Sequence, residues 1–415
     1  MKKNEATRFC IIGAGAAGLT AAETLKSKGY KNITILEKES FAGGKCRSFE
    51  YEGLIYELGA GIIAGNNQTI IRLAKKANIP LNKAVFEDED LFDAETGGLL
   101  PDLLSFPEKV SFFWQLLLKY RRLCHKYQSI TAPGFASVDP SLSVNFAEWA
   151  KIHEIPLIPK NFERYFTGFG YGYWEEIPAA YVLKYTDWET VKSFVRGEFY
   201  TFPTSVQSLW TAIAAYHDVH YNTTVKSIRR DHLIAIKTES GLQEFDVLLL
   251  SSPLDEALHF LDASAQENLL FSKIIYNDYQ CHAAVVKGFP QQTGYLPAHF
   301  DPEKKGQPLF WYKRFTESEV YTFYVLGDWK TPDSQIQKNI SAVVKKFGGE
   351  IEKFLTITKW KYFPHISKDD MENGFYQKLE KLQGKNNTYY IGELSAFATL
   401  ELTAAYARHL IEKYF

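Results

Sequence analysis

The chain has 415 residues, 46% of them hydrophobic and 23% charged, with a formal net charge of -2. That length is too great for one ordinary core, so two domains of a globular protein are expected. The near-neutral charge, with no long basic block, argues against nucleic acid as a partner, and no apolar stretch approaches the ~20 residues that a membrane span needs.

At the N-terminus, Lys2 and Lys3 before the apolar run Phe9 to Ala22 imitate a secretory leader. Glycines interrupt that run, and Glu23-Thr24-Leu25-Lys26 continues a helix where a cleavage site would stand, so a leader is not expected. Arg8-Phe9-Cys10-Ile11-Ile12 reads instead as a buried parallel strand. Gly13-Ala14-Gly15-Ala16-Ala17-Gly18 follows at once, in the pattern G-x-G-x-x-G. A helix is predicted from Ala16 to Lys28, stopped by Gly29, and Asn32 to Leu36 forms the second strand with Glu37 at its end.

Each piece has a physical task at a dinucleotide. Gly13 permits the tight turn, Gly15 lets backbone approach a pyrophosphate, and Gly18 allows close packing of helix on strand. The helix start at Ala16 and Ala17 offers free N–H groups to the phosphates. Glu37, followed by Lys38, accepts from ribose hydroxyls, which argues against a 2′-phosphate. Beyond the acid lie Gly43-Gly44-Lys45 and then Leu58-Gly59-Ala60-Gly61. The first is no phosphate loop of the Walker type, because Glu39 stands where a glycine is required and Cys46 replaces the Ser/Thr. A second glycine pair instead brings backbone amides to the cofactor again, and Lys45 offers charge. FAD fits better than NAD.

Further along, a helix at Gln207 to Ala215, strands around Val219 to Ile228 and Leu233 to Lys237, and a buried strand from Phe245 to Leu250 ending in Ser251-Ser252-Pro253 return the chain to the cofactor. Tyr389 to Ile391 leads into Gly392 and Glu393, and a final helix runs to Phe415. The FAD-binding domain is therefore expected at 1–81, 204–273 and 365–415. Interwoven with it, 82–203 and 274–364 form a substrate-binding domain. Leu103 to Ile130 reads as an apolar helix with Arg121, Arg122 and Lys126 at its far end, a core helix with a solvated tip or a site of membrane-surface contact. The 30 Phe, 25 Tyr and 8 Trp suit a large apolar cavity, an aromatic core or a homodimer interface.

Cys10, Cys46, Cys124 and Cys281 are far apart, which suits a reduced, cytoplasmic setting. No metal is expected, and His217-x-x-His220 reads as two ordinary histidines. No hydrolase constellation is present, so a bound cofactor is expected to carry the chemistry.

Gly13 to Gly18, Glu37, Gly43-Gly44-Lys45 and Glu57-Leu58-Gly59-Ala60 resemble the FAD fingerprint of the flavin amine oxidase superfamily. That group includes monoamine and polyamine oxidases, protoporphyrinogen oxidases and phytoene desaturases. Thr167 to Gly172, Ile177 to Tyr185, Phe271 to Ile275, Tyr362 to His365 and Gly392-Glu393 are more specific. They resemble the bacterial polyenoic fatty acid isomerases that form conjugated linoleic acid, over nearly the whole chain. The resemblance implies an α/β fold: a Rossmann-like FAD domain of the glutathione reductase-2/amine oxidase type, woven into an α+β substrate domain. It implies non-covalent FAD, since Glu393 to Phe397 contains no cysteine for attachment. Val225 would meet the adenine and Glu393 the ribityl chain or phosphate, Leu58 to Gly61 would pass the isoalloxazine, and Trp360 would stand beside it. Ser252 is expected at the same cofactor.

The chemistry implied is removal of a doubly allylic hydride to flavin N5 and its return to another carbon, with no catalytic side chain required. Phe169, Tyr171, Phe194, Tyr200, Phe202, Tyr362 and Phe363 are the expected substrate residues, with Phe166 and Tyr173 as further candidates for a lipid-like chain. Such isomerases receive the fatty acid carboxylate on basic residues, yet the matching segment here is Phe86-Glu87-Asp88-Glu89-Asp90. The head group is then anchored elsewhere, with Arg121, Arg122, Lys184 or Arg196 as candidates, or the substrate is not a free acid. An amine oxidase, a lipid or isoprenoid desaturase, and a flavin-binding protein without turnover remain the alternatives.

Overall fold

A computed structural model describes residues 4–83 and 89–415. Lys2, Lys3 and the Phe86-Glu87-Asp88 part of the acidic segment lie outside the described residues. β1 (Arg8–Ile12) is connected by α1 (Ala16–Ser27) to β2 (Asn32–Leu36), and the two strands pair in parallel. Val247–Leu250 pairs with the other side of β1, Thr388–Tyr390 lies beyond it, and Asp218–His220 flanks β2. The result is a five-stranded, wholly parallel sheet.

Alternation across the pleat gives the sheet two apolar faces. Phe9, Ile11, Ile33, Ile35 and Leu249 pack with Leu19, Ala22 and Leu25 of α1 and with the last helix, Leu400–Tyr414. Cys10, Ile12, Leu36, Leu248 and Leu250 face the opposite way into a larger core that extends to the aromatic helical middle of the chain.

A second sheet has six strands, in the order Glu350–His365, Ile275–Lys287, Val320–Leu326, Pro308–Tyr312, Thr293–Tyr295 and Glu89–Leu91. It is antiparallel except where Glu89–Leu91 runs parallel to Thr293–Tyr295.

Three expected elements differ in detail. The run from Val219 to Ile228 is not one strand: Asp218–His220 ends in the parallel sheet and Ser227–Arg230 belongs to a separate three-stranded sheet. Between them Asn222 takes a positive φ of 50°, and the Asn222 and Thr223 N–H groups bond the Glu39 and Glu37 carbonyls at 3.0 and 2.8 Å. The Phe245 to Leu250 run splits at Asp246, whose carboxylate accepts the Arg8 N–H at 2.8 Å and the Arg8 guanidinium at 3.1 Å. Finally, the helical stretch begins at Phe106, after a capping box between Ser105 and Glu108, and passes through a π-helical turn at Gln115–Tyr120 before ending at Lys126. Phe106, Val110, Phe113, Trp114 and Leu118 stand exposed along it, followed by exposed Arg121, Arg122 and Lys126. No helix among the described residues is long and apolar enough to cross a membrane. The four cysteines are buried and free of disulfides.

Candidate functional site

The C-terminal ends of the parallel strands open into a cavity of about 1500 Å³ that continues to the face of the six-stranded sheet. This is where open α/β sheets hold ligands, because the helix starts and strand ends leave backbone groups unpaired there.

At the strand ends, Gly13 has φ +103° and its N–H donates to the Leu36 carbonyl, at the end of the neighbouring strand β2, at 2.8 Å. Gly15 bridges to Gly43, and a Cβ added at Gly15 would meet only the Gly44 Cα, at 3.8 Å. The two glycine turns thus face each other without side chains. A Cβ at Gly18 would stand 2.0 Å from the Gly13 carbonyl oxygen, so Gly18 is required by packing and does not reach the cavity. Helix α1 begins with no side-chain cap, leaving its first amides at Ala16 and Ala17 on the cavity wall. Glu37 is buried, its Oε2 accepting the Ala14 N–H at 2.7 Å and its Oε1 the Glu39 N–H at 2.9 Å.

Around this end lie Lys38, Gly43, Gly44, Lys45, Gly59, Ala60, Gly61, Val225, Ser252, Trp360, Gly392 and Glu393. Lys45 pairs with Glu393, joining the second glycine turn to the far C-terminal segment. Leu58 turns its side chain into the core and uses its carbonyl, which accepts the Trp360 Nε1–H at 2.6 Å. The Ser252 hydroxyl is buried with no hydrogen-bond partner.

The other end is aromatic. Rings stack in sequence from Tyr171 to Tyr362 (5.6 Å), Tyr279 (5.2 Å), Tyr324 (5.8 Å), Phe310 (4.4 Å) and Tyr295 (5.1 Å). All six line the cavity, with Phe169 and Phe194 beside them. Burial pushes the Tyr171, Tyr279 and Tyr324 hydroxyls well above the ordinary phenol range, so this wall stays neutral. Register explains the stack: Phe310 is the cross-strand partner of both Tyr295 and Tyr324.

Three expected substrate residues are not on the wall. Phe202 is fully buried in the core packed on the parallel sheet, Phe363 is enclosed by Phe166, Tyr171, Tyr181 and Phe397, and Tyr200 is held in a small sheet against Ile63 and Lys83. Phe166 and Tyr173 are likewise core residues. Conversely, Tyr279, Tyr295, Phe310 and Tyr324 were not anticipated. The alternation Phe310-Trp311-Tyr312 was a usable signal, but the cross-strand register that stacks the rings was not.

Of the candidate head-group anchors, Arg121 and Arg122 do not reach the cavity and Arg196 stands at its exposed rim. Lys184 lines the cavity, but its ammonium donates to the carbonyls of Ile130 (2.8 Å), Ala132 (2.5 Å) and Gly134 (3.0 Å). All three N–H bonds are spent on backbone, and burial lowers its pKa to about 8. Lys184 therefore ties a loop to the helix Ala179–Tyr185. Lys184→Met should cost about 2–3 kcal/mol, from carbonyls left unpaired in the interior, without weakening any cavity ligand. Urea denaturation read beside a ligand titration checks this; a loss confined to ligand affinity would show an anchor instead.

His217 lies 3.3 Å from Glu23 and His220 3.0 Å from Asp218, so the two histidines do not converge. No group of three or more metal-ligating side chains occurs among the described residues.

A parallel sheet whose glycine turns and terminal acid open on an aromatic cavity defines a dinucleotide-dependent enzyme. The chain matches the family of flavin containing amine oxidoreductases over residues 16–401 and belongs to it. It is an FAD-dependent enzyme of that family. Among solved structures, a CLA-producing fatty acid isomerase from P. acnes superposes with a TM-score of 0.94 at 30% identity, covering 100% of both chains. Putrescine oxidase shares the fold, with a TM-score of 0.70, 12% identity and 98% of both chains covered. Beta-cyclopiazonate dehydrogenase of Aspergillus flavus is 23% identical over 92% of this chain and 87% of its own length.

The residues present fit FAD. The facing glycines leave a cradle that a side chain would fill, the uncapped helix start suits phosphate oxygens, and the orphaned Ser252 hydroxyl lacks only a ligand partner.

Proposed function

We propose that this enzyme is a double-bond isomerase acting on a polyunsaturated fatty acid or a similar lipid. In this reading Gly13, Gly15, Ala16 and Ala17 hold the FAD pyrophosphate, with Gly43, Gly44 and Lys45 on its other side. Glu37 and Lys38 serve the adenosine half together with Val225, and Ser252, Gly392 and Glu393 serve the central phosphates and ribityl chain. Leu58 to Gly61 and Trp360 flank the flavin ring. When bound, FAD supplies reversible hydride transfer.

The observation that carries the proposal is the aromatic wall. Tyr171, Tyr362, Tyr279, Tyr324 and Phe310 present a continuous neutral surface in the same cavity as the cofactor end. Such a wall orients a linear apolar chain, excludes water and stabilises positive charge spread along a polyene through ring faces. The full-length likeness to the fatty acid isomerase supports the same reading.

An amine oxidase is the second reading, favoured by the carboxyl of Glu89 on the cavity wall. Incubating the yellow holoenzyme with linoleate, linoleyl alcohol and, separately, amines separates the two. Growth of conjugated-diene absorbance without peroxide is expected. Peroxide produced with an amine, and no diene from either lipid, would overturn the isomerase.

A further inference from the structure

The far end of the aromatic wall carries one carboxyl that the proposed chemistry does not use. Glu89 begins the short strand Glu89–Leu91 and sits in register with Thr293, so its side chain shares a face with Thr293 and Tyr295. Glu89, Thr293 and Tyr295 all line the cavity. The Tyr165 hydroxyl donates to Glu89 Oε2 and the Tyr295 hydroxyl to Oε1, each at a long 3.4 Å. The carboxyl is thus held between two phenols by weak bonds, and no cation forms an ion pair with it among the described residues.

The cations that could receive an anion in this cavity are otherwise engaged. Lys45 pairs with Glu393, Arg314 with Glu57 at 2.9 Å, Lys359 with Asp333, and Lys361 with Asp255, while Lys184 is filled by carbonyls. The remaining cavity-lining cations, Lys38, Arg47, Lys83 and Arg196, are exposed. A carboxylate brought to that end would meet Glu89. The cation beside it, Arg164, has its Nε buried without a hydrogen-bond partner but does not line the cavity, so the repulsion is costly in a low-dielectric site.

We infer that Glu89 determines substrate specificity: it receives a lipid terminus that donates a hydrogen bond, such as a hydroxyl, amide or ammonium, and turns away a carboxylate. The inference rests on the lipid reading of the same cavity and narrows its substrate class. A hydroxyl or ammonium supplies the short, charge-assisted bond that the two distant phenols leave unmade.

The charged and titratable groups around Glu89 set its response to pH. Arg164 and Tyr165 come from the helix Leu157–Phe166, Tyr295 from its neighbouring strand and Tyr312 from Pro308–Tyr312. Burial raises the Glu89 pKa, outweighing the attraction of Arg164 and the two phenol bonds. A raised carboxyl becomes protonated as pH falls through its folded value, so repulsion of a carboxylate weakens in acid.

The test uses holoenzyme and the flavin absorbance change on titration with linoleate, linoleyl alcohol and linoleyl amine. Wild type should bind the alcohol and the amine at least about tenfold more tightly than linoleate, and linoleate binding should strengthen as pH falls. Glu89→Gln should bring linoleate to within about threefold of the alcohol and flatten that pH dependence. The wild-type comparison needs no variant to fold. All three ligands binding with a ratio unchanged by Glu89→Gln, or linoleate binding tightest to wild type, would overturn the role of Glu89 alone. No response to any of the three would sink the lipid reading, and the head-group assignment with it.

Discussion

Gly15→Leu should yield a folded protein that purifies without flavin. The Cβ itself has room, since its nearest neighbour is the Gly44 Cα at 3.8 Å. The remaining carbons of leucine would then enter the slot between the Gly13–Gly18 turn and Gly43-Gly44, where the pyrophosphate is proposed to lie. Displacing backbone–phosphate contacts at a helix start should weaken FAD by at least about 100-fold, or ~3 kcal/mol. Gly18→Ala is the contrasting control, because its Cβ would fall 2.0 Å from the Gly13 carbonyl and force α1 away from the turn. That variant should lose stability as well as flavin, by about 1–3 kcal/mol. Reconstitution of apoprotein followed by flavin fluorescence, beside a thermal melt, distinguishes them. A Gly15→Leu protein as yellow as wild type would overturn the assignment of the turn.

The contrast between Gly15 and Gly18 shows why the geometry of the glycine turn is legible in the sequence. The turn, the helix start and the acid at Glu37 occupy 25 consecutive positions from Gly13, and their geometry is local, so spacing alone implies contact. Even the second glycine pair could be placed, because Gly43 needs only to bridge back to Gly15. The rest of the cavity is built from contacts with long separations. Tyr279, Tyr324, Phe310 and Tyr295 meet through strand register across three chain reversals, and a one-residue slip would turn each ring to the other face.

The misplaced residues have equally physical causes. Phe202 and Phe363 share the composition of a lipid channel, yet a phenylalanine is as well suited to core, and only the packing around them decides. Lys184 carries the charge an anchor needs, but its fate depends on three carbonyls from Ile130, Ala132 and Gly134, which no side-chain pattern reveals. Backbone groups that must be paired in the interior compete with ligands for such a cation. The acidic segment meets the cavity through Glu89, which alone of the described acids Glu89 and Asp90 lines it.

Arg230→Met should destabilise the holoenzyme by about 3–5 kcal/mol, because it leaves a buried carboxylate without its partner. All five guanidinium donors of Arg230 are spent within the fold. Nε bonds Asp262 Oδ1 at 2.6 Å, Nη1 bonds Glu267 Oε1 at 2.6 Å and the Tyr390 hydroxyl at 3.3 Å, and Nη2 bonds the Asp262 carbonyl at 3.0 Å and Glu267 Oε2 at 2.9 Å. The side chains of Arg230 and Glu267 are only 1% and 4% exposed. This network fastens Ser227–Arg230, just beyond Val225, to Thr388–Tyr390, just before Gly392 and Glu393. Val225, Gly392 and Glu393 line the part of the cavity proposed to hold FAD, so the variant should also bind FAD more weakly. Burial by itself would raise the Glu267 carboxyl, but the bonds from Arg230 and Tyr390 outweigh it and hold the pKa at about 2. A depressed carboxyl contributes stability that is present above its unfolded value, 4.5, and lost as pH falls through about 2. Without Arg230 the sign reverses: burial raises the folded value, and stability is lost as pH rises through it. The deficit of Arg230→Met should therefore be smaller near about pH 5 than near about pH 8. Adding Glu267→Gln should recover part of it, since a neutral amide keeps the cap on Ser264 without a buried charge. Urea titrations of the four proteins in a double-mutant cycle measure the coupling. A deficit equal at both pH values, or unrelieved by Glu267→Gln, would mean that lost packing around Arg230, and not the stranded charge of Glu267, sets the cost.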